Sequence, residues 1–191
     1  MPTTAPHPRF TIPQYLHIER QALDKHEYRD GEILLMPFSS ARHSLITVNV
    51  AGAIRSLCRD CRAYDGSLRI HIPGDAFYTY SDALVMRDRV QLDPDDSAGE
   101  TIINPLLLIE VMSPATGAYD RGEKWRRYRQ LSSLQEYLLV AEDSQVIETW
   151  YRVQGDSWDC DTASPQRPSI RLRSLNIELA LAEVYLNADI A

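Results

Sequence analysis

Apolar residues recur along this chain in two periods. Ile46, Val50, Ala53, Ile54 and Leu57 have the spacing of one helix face, so a long helix is expected from about Arg42 to Leu57, capped by Ser39 or Ser40. Thr11 before Ile12-Pro13-Gln14 has the form of a capped helix start with an early proline, and Ile12, Tyr15, Leu16 and Leu23 give that helix a modest apolar face. Runs bounded by turn residues predict strands. The first is Glu32 to Met36, which follows Asp30-Gly31 and is stopped by Pro37. Others are expected at Tyr64 to Ile72, Tyr78 to Met86, Leu106 to Met112, Glu136 to Val140 and Val146 to Val153. An amphipathic helix is predicted from Asp120 to Leu131 and a short closing helix from Leu179 to Leu186, while the polar stretch Gln91 to Glu100 is a surface excursion.

This order predicts a mixed β-sheet flanked by helices, an α/β or mixed α+β fold, in a single domain over residues 11–191 behind a flexible segment 1–10. Its 191 residues suffice for one substantial core, and 44% hydrophobic content fits a globular chain. No run approaches the roughly 18 apolar residues of a membrane span, and the start lacks an apolar signal segment, so no membrane contact and a cytoplasmic location are expected. Cys58, Cys61 and Cys160 do not make a disulfide framework, and Cys58-x-x-Cys61 without a second pair reads as ordinary cysteines in a reducing compartment.

Two strands carry a carboxylate where an apolar residue is expected. Asp82 interrupts Tyr78 to Met86, and Glu110 interrupts Leu106 to Met112. An ionised carboxylate in a core is costly unless it is paired or holds a cation. Alternation puts Tyr78, Tyr80, Asp82, Leu84 and Met86 on one face, and Leu106, Leu108, Glu110 and Met112 on another. If the strands are neighbours, the two carboxylates converge on one point and suit a hard divalent ion such as Mg2+. The plainer alternative leaves both at wet strand ends.

The formal net charge of −7 opposes non-specific coating of nucleic acid, yet the segment Arg121 to Arg129 holds five basic residues against one acidic, interleaved with Trp125 and Tyr128. By spacing, Lys124 has two readings: a surface pair with Asp120 four residues earlier, or an ammonium pointed at the carboxylates. His43, near the front of the long helix, and Glu32, beside Gly31, are further candidates, each with an ordinary structural alternative. His26 and Glu27 read as surface residues. Phosphate-loop, zinc-protease and nucleophile-elbow motifs are absent from the sequence.

The chain resembles the large, cyanobacteria-rich bacterial family of putative restriction endonucleases within the PD-(D/E)XK nuclease superfamily. The resemblance rests on Glu27 to Glu32, His43, Tyr80-Ser81-Asp82, Asn104 to Thr116, Tyr119 to Lys124, Tyr128 and Ser133 to Val140. It implies a restriction-endonuclease-like core and metal-dependent cleavage of DNA. Asp82, Glu110 and the carbonyl of Val111 would hold Mg2+, with Mn2+ as a substitute. Two departures stand out: Ser81 replaces the usual proline, and Met112 occupies the usual lysine position. The resemblance assigns that role to Lys124 on the following helix. It further implies Glu32 and His43 as catalytic partners, Arg121 and Arg127 as DNA-backbone contacts, and a homodimer. The competing reading is a noncatalytic nucleic-acid-binding or self-associating module on the same fold.

Overall fold

A computed structural model describes residues 9–190 of the chain. Its first helix, α1 (Ile12–Glu19), begins with a capping box in which Thr11 and Gln14 satisfy each other's backbone N–H groups. It ends earlier than expected, and Leu23 lies outside it, fully exposed. Strands β1 (His26–Arg29) and β2 (Glu32–Leu35) form a hairpin about Asp30-Gly31. Helix α2 (Ala41–Leu57) follows, with the Ser40 side chain accepting from the His43 N–H as its cap.

The segment expected as one strand from Tyr64 to Ile72 is two, β3 (Arg62–Asp65) and β4 (Arg69–His71), which belong to different sheets. The same division splits the expected strand Tyr78 to Met86 into β5 (Phe77–Thr79) and β6 (Ala83–Met86). Tyr80-Ser81-Asp82 is the crossing between sheets, so Tyr78 does not share a face with Asp82; it packs with Tyr15 and Tyr28 in a separate aromatic cluster. After β7 (Thr101–Ile102) comes β8 (Leu107–Met112), then helical residues 117–128, and β9 (Glu136–Ala141). β10 (Ile147–Gln154) and β11 (Ser157–Ala163) make a hairpin, β12 (Ser169–Leu172) pairs with β13 (Ile177–Ala180), and α5 (Leu181–Val184) closes the described chain. β11, β12 and β13 lie beyond the last expected strand, and the closing helix expected from Leu179 to Leu186 is confined to Leu181–Val184 because Leu179 and Ala180 belong to β13.

A six-stranded sheet in the order β11-β10-β9-β8-β6-β3 and a five-stranded sheet in the order β2-β1-β5-β4-β7 share the molecule. β8 and β9 run parallel and are buried on both faces, which is why they are apolar apart from Glu110 and Glu136. Ile46, Val50 and Ile54 of α2 pack on Val85, Leu107, Ile109 and Val111. Each such side chain contributes roughly 1.5–3 kcal/mol by leaving water. The opposite face carries Leu84, Leu108 and Met112, covered by Tyr128 and Leu131 from the crossover between β8 and β9. Glu110 projects with Leu108 and Met112 toward this crossover.

Cys58 and Cys61, expected as separate thiols, form a disulfide just after α2. Its position follows from the tight turn Cys58–Cys61, where the Cys61 N–H donates to the Cys58 carbonyl. No described helix is long and apolar enough to cross a membrane.

Candidate active site

Asp82 and Glu110 meet because β6 and β8 are antiparallel neighbours. Ala83 pairs with Ile109, and the next step of that register sets Asp82 beside Glu110. Asp82 is held from two layers: its Oδ2 accepts from the Val111 N–H at 2.7 Å and lies 3.1 Å from His43 Nε2 at the start of α2. Ser81, in place of proline, braces the crossing by donating its hydroxyl to the Ala83 carbonyl at 3.0 Å. On the other side, a Cβ on Gly66 would stand 2.6 Å from the Ser81 carbonyl oxygen, so only glycine admits this close backbone approach.

The crossover from β8 to β9 is not one regular helix. It runs as α3 (Gly117–Tyr119), a π-helical turn over Asp120–Lys124, and α4 (Trp125–Tyr128). A π turn shifts helical phase within a helix and recurs at functional sites. Here it turns Asp120 and Lys124 inward, each about 4% exposed. Lys124 Nζ lies 2.8 Å from Glu110 Oε1 and 3.9 Å from Asp120 Oδ1, and the Tyr128 hydroxyl donates to the same Glu110 oxygen at 2.9 Å. Met112 is a core residue beneath this crossover, so the cation comes from the helix and not from the strand.

The charges follow from this burial. Desolvation pushes the Glu110 carboxyl well above the usual carboxylate range, Lys124 opposes it, and Asp82 and Asp120 reinforce it. Burial alone would pull the Lys124 ammonium down, but Glu110, Asp120, Glu27 and Asp82 outweigh it and keep it charged. Burial also lowers His43, against the stronger combined pull of its bond to Asp82 and the charges of Asp82 and Glu142; the net direction is up.

These groups open into one cleft of about 420 Å³, which Glu27, His43, Asp82, Glu110, Val111 and Lys124 line. Glu27 was expected at the surface and is instead 5% exposed, accepting from Thr79 Oγ1 at 2.7 Å and from the Tyr119 hydroxyl. Alternation along β1 gives no signal for this: Glu27 and Tyr28 are consecutive and both buried, Tyr28 against Tyr15 and Tyr78 and Glu27 against Thr79 and Tyr119. Glu32, the residue chosen from that hairpin, is exposed and stands outside the cleft lining. It begins the edge strand β2, whose outer side has no partner strand among the described residues.

Neither arginine is a free cation. Arg127 is 4% exposed and bonds Asp30 at 2.5 Å, Asp75 at 2.8 Å and Glu123 at 3.3 Å, so it clamps two turns to α4 and is not an exposed phosphate contact. Arg121 keeps about half its side-chain exposure but forks onto Glu148.

The donor set suits a hard divalent cation. Asp82 is bonded through Oδ2 and Glu110 through Oε1, which leaves Oδ1 and Oε2 without hydrogen-bond partners among the described residues. By contrast, the cluster Cys58, Asp60 and Cys61 offers no thiolates, because its cysteines are joined.

The protein is a mixed α+β domain in which two carboxylates and a buried lysine line one cleft. Residues 12–183 match the family model described as "Uma2: Putative restriction endonuclease", and the chain belongs to this family. Two proteins of Synechocystis sp. (strain ATCC 27184 / PCC 6803 / Kazusa) are similar. "Uncharacterized protein slr1290" is 33% identical over 186 residues, covering 95% of this chain and 94% of that protein. "Uncharacterized protein sll1609" is 30% identical over 151 residues, covering 78% and 84%. The crystal structure of "a putative nuclease belonging to DUF820" from Anabaena variabilis ATCC 29413 superposes with a TM-score of 0.71 at 18% identity, over 92% of this chain and 97% of that one, and shows the shared fold.

Proposed function

We propose that the protein is a metal-dependent endonuclease that hydrolyses phosphodiester bonds of DNA in the Asp82–Glu110 cleft. The observation that carries this reading is the buried Lys124 ammonium 2.8 Å from Glu110, in a cleft that Asp82 also lines. A purely structural core has little reason to collect two carboxylates and a lysine where each costs desolvation. Asp82, Glu110 and the Val111 carbonyl would hold Mg2+ or Mn2+, which supplies Lewis-acid polarisation of the phosphate and a more acidic water. Lys124 stabilises negative charge developing at the attacked phosphate, from a site that water reaches poorly. Tyr128 fixes the Glu110 carboxylate, and His43 and the Val111 N–H fix Asp82. Glu27, rather than Glu32, supports the Tyr119 side of the cleft.

The test is cleavage of supercoiled and linear DNA with Mg2+ or Mn2+, comparing wild type with Asp82→Ala and Glu110→Ala at matched purity. Metal-dependent nicking abolished in both variants supports the nuclease reading. Absence of cleavage and of metal binding by the folded wild type overturns it in favour of a noncatalytic module.

A further inference from the structure

One wall of the cleft is apolar, and catalysis as proposed makes no use of it. Between the end of β2 and the cap of α2, the strap Leu35-Met36-Pro37-Phe38 lines the same cleft as the carboxylates. Leu35 is 59% exposed and Phe38 85% exposed, an unusual display for large apolar side chains. The strap is fixed at both ends. The Met36 N–H donates to the Lys25 carbonyl at 2.9 Å, and the Ser40 hydroxyl bonds Glu142. Phe38 is therefore held at the lip while its ring stays uncovered.

The charges near the cleft point to what that ring meets. Glu27, Asp82, Glu110, Asp120 and Glu142 line the cleft, and its cations are already engaged. Arg29 is 2.9 Å from Glu123 and Lys124 is 2.8 Å from Glu110. Arg127 and Arg121, just outside, are taken up by Asp30, Asp75 and Glu148. Such a surface offers few free charges for the phosphates of either a duplex or a single strand, so charge neutralisation contributes little to both and another contact must decide between them. Single-strand binding adds base stacking on aromatic faces, and this needs no sequence match.

Resting on the nuclease reading, we infer that the cleft takes unpaired DNA and that Phe38 stacks on a base beside the scissile phosphate. Leu35 and Pro37 extend the apolar surface under that base. A duplex enters only where it is frayed or bubbled, because a paired base has no free face to offer the lip.

The test is binding in EDTA, so that cleavage does not enter the readout. Fluorescence anisotropy compares a labelled single-stranded oligonucleotide, its duplex and a duplex with a central unpaired bubble. Wild type, Phe38→Ala and Phe38→Trp are measured with each probe. The expected result is tighter binding to the strand and the bubble than to the duplex. Phe38→Ala weakens strand binding by about tenfold, within the range for losing one stacked base, leaves duplex binding unchanged, and Phe38→Trp restores strand binding. Equal affinity for duplex and strand, or strand affinity untouched by Phe38→Ala, overturns the inference. So does a Phe38→Ala change confined to sedimentation, which would make the lip a contact between copies of the chain. Metal-dependent duplex cleavage insensitive to Phe38→Ala also overturns it and leaves the nuclease reading standing. If neither the metal-dependent cleavage nor binding of any probe is seen, the nuclease reading itself fails.

Discussion

Lys124 and Tyr128, one helical turn apart, both place a donor on Glu110 Oε1, at 2.8 Å and 2.9 Å. The ammonium and the carboxylate are each about 4% exposed, so neither has water as a substitute partner. Removing the lysine leaves the buried carboxyl group without its counter-charge, with the Tyr128 hydroxyl still on it. Lys124→Met is expected to lower unfolding free energy by about 3 kcal/mol. Adding Glu110→Gln to it should recover more than half of that loss, because the uncompensated charge goes too. Urea titrations of the two variants and of wild type measure both changes.

Arg127 was expected to hold DNA and instead holds the protein. Arg127→Ala is expected to cost about 2–3 kcal/mol, at or just below the lower end of the roughly 3–5 kcal/mol of a broken buried pair, since Asp30 is well exposed. Arg121→Ala, which breaks a half-exposed pair with Glu148, should cost under about 1 kcal/mol. Chemical denaturation of both variants checks the ordering, and a larger loss for Arg121→Ala contradicts it.

Glu27 and Glu32 sit on one hairpin with opposite fates. Glu27→Ala removes the acceptor for Tyr119 and Thr79 beside Lys124, and is expected to reduce cleavage about tenfold or more, as lost support of a metal site commonly does. Glu32→Ala, at an exposed edge outside the cleft, should leave the rate within about twofold, a surface effect of a few tenths of a kcal/mol. Initial rates on supercoiled DNA separate the two.

Away from the cleft, Asp96 is buried with Arg20 and Arg69, at 2.5 Å and 2.7 Å. Burial alone would raise its carboxyl, but the hydrogen bonds from Thr101, Arg20, Arg69 and the Ala98 N–H outweigh burial and hold it well below the usual range. A folded pKa below the unfolded one adds stability above the unfolded value of about 3.9. That stability is lost as pH falls from there toward the folded pKa. Thermal unfolding between pH 5 and 2 (a range of roughly the carboxylate titration) should show a steeper loss for wild type than for Asp96→Asn.

Gly66 is the glycine whose replacement bears most directly on the site. A methyl group there meets the Ser81 carbonyl at 2.6 Å, where real contacts do not occur, and backbone must yield. Gly66→Ala is expected to cost about 1–3 kcal/mol and to lower cleavage by displacing Asp82. Serine at Gly52, with nothing near its Cβ position, is the control for a glycine substitution without a clash.

Burial periodicity made much of this fold legible. The α2 stripe of Ile46, Val50 and Ile54 and the apolar residues flanking Glu110 in β8 were readable because packing fixes both. Glu110 was readable for the same reason, as a charge set where the pattern demands an apolar residue, whereas Asp82 lies in the crossing ahead of β6 and interrupts no strand. Other features had no local signal. β11, the outer strand of its hairpin, is largely exposed and so lacks a strong apolar alternation. Glu136, read only as a strand start, is fully buried and accepts from Thr149, Arg173 N–H and Ser174, a long-range arrangement no nearby residue announces. The burial of Arg127 in ion pairs had no local signal, because its partners Asp30 and Asp75 are distant in sequence. The division of Tyr78 to Met86 between two sheets was hidden by a run that looks continuous.

The π turn at Asp120–Lys124 makes the aim of the lysine a matter of angular phase. One residue more or fewer in a helix rotates its later turns by about 100° relative to its earlier ones. Lys124 and Tyr128 ride the same rotation, so both leave Glu110 together if Gly122 is deleted and both arrive together when the turn is present. The crossover can therefore deliver a cation to Glu110 without any change in the sheet, provided one of its turns is wound to the wider gauge. The cleft is indexed by that turn much as a lock is indexed by the cut depth of a single pin.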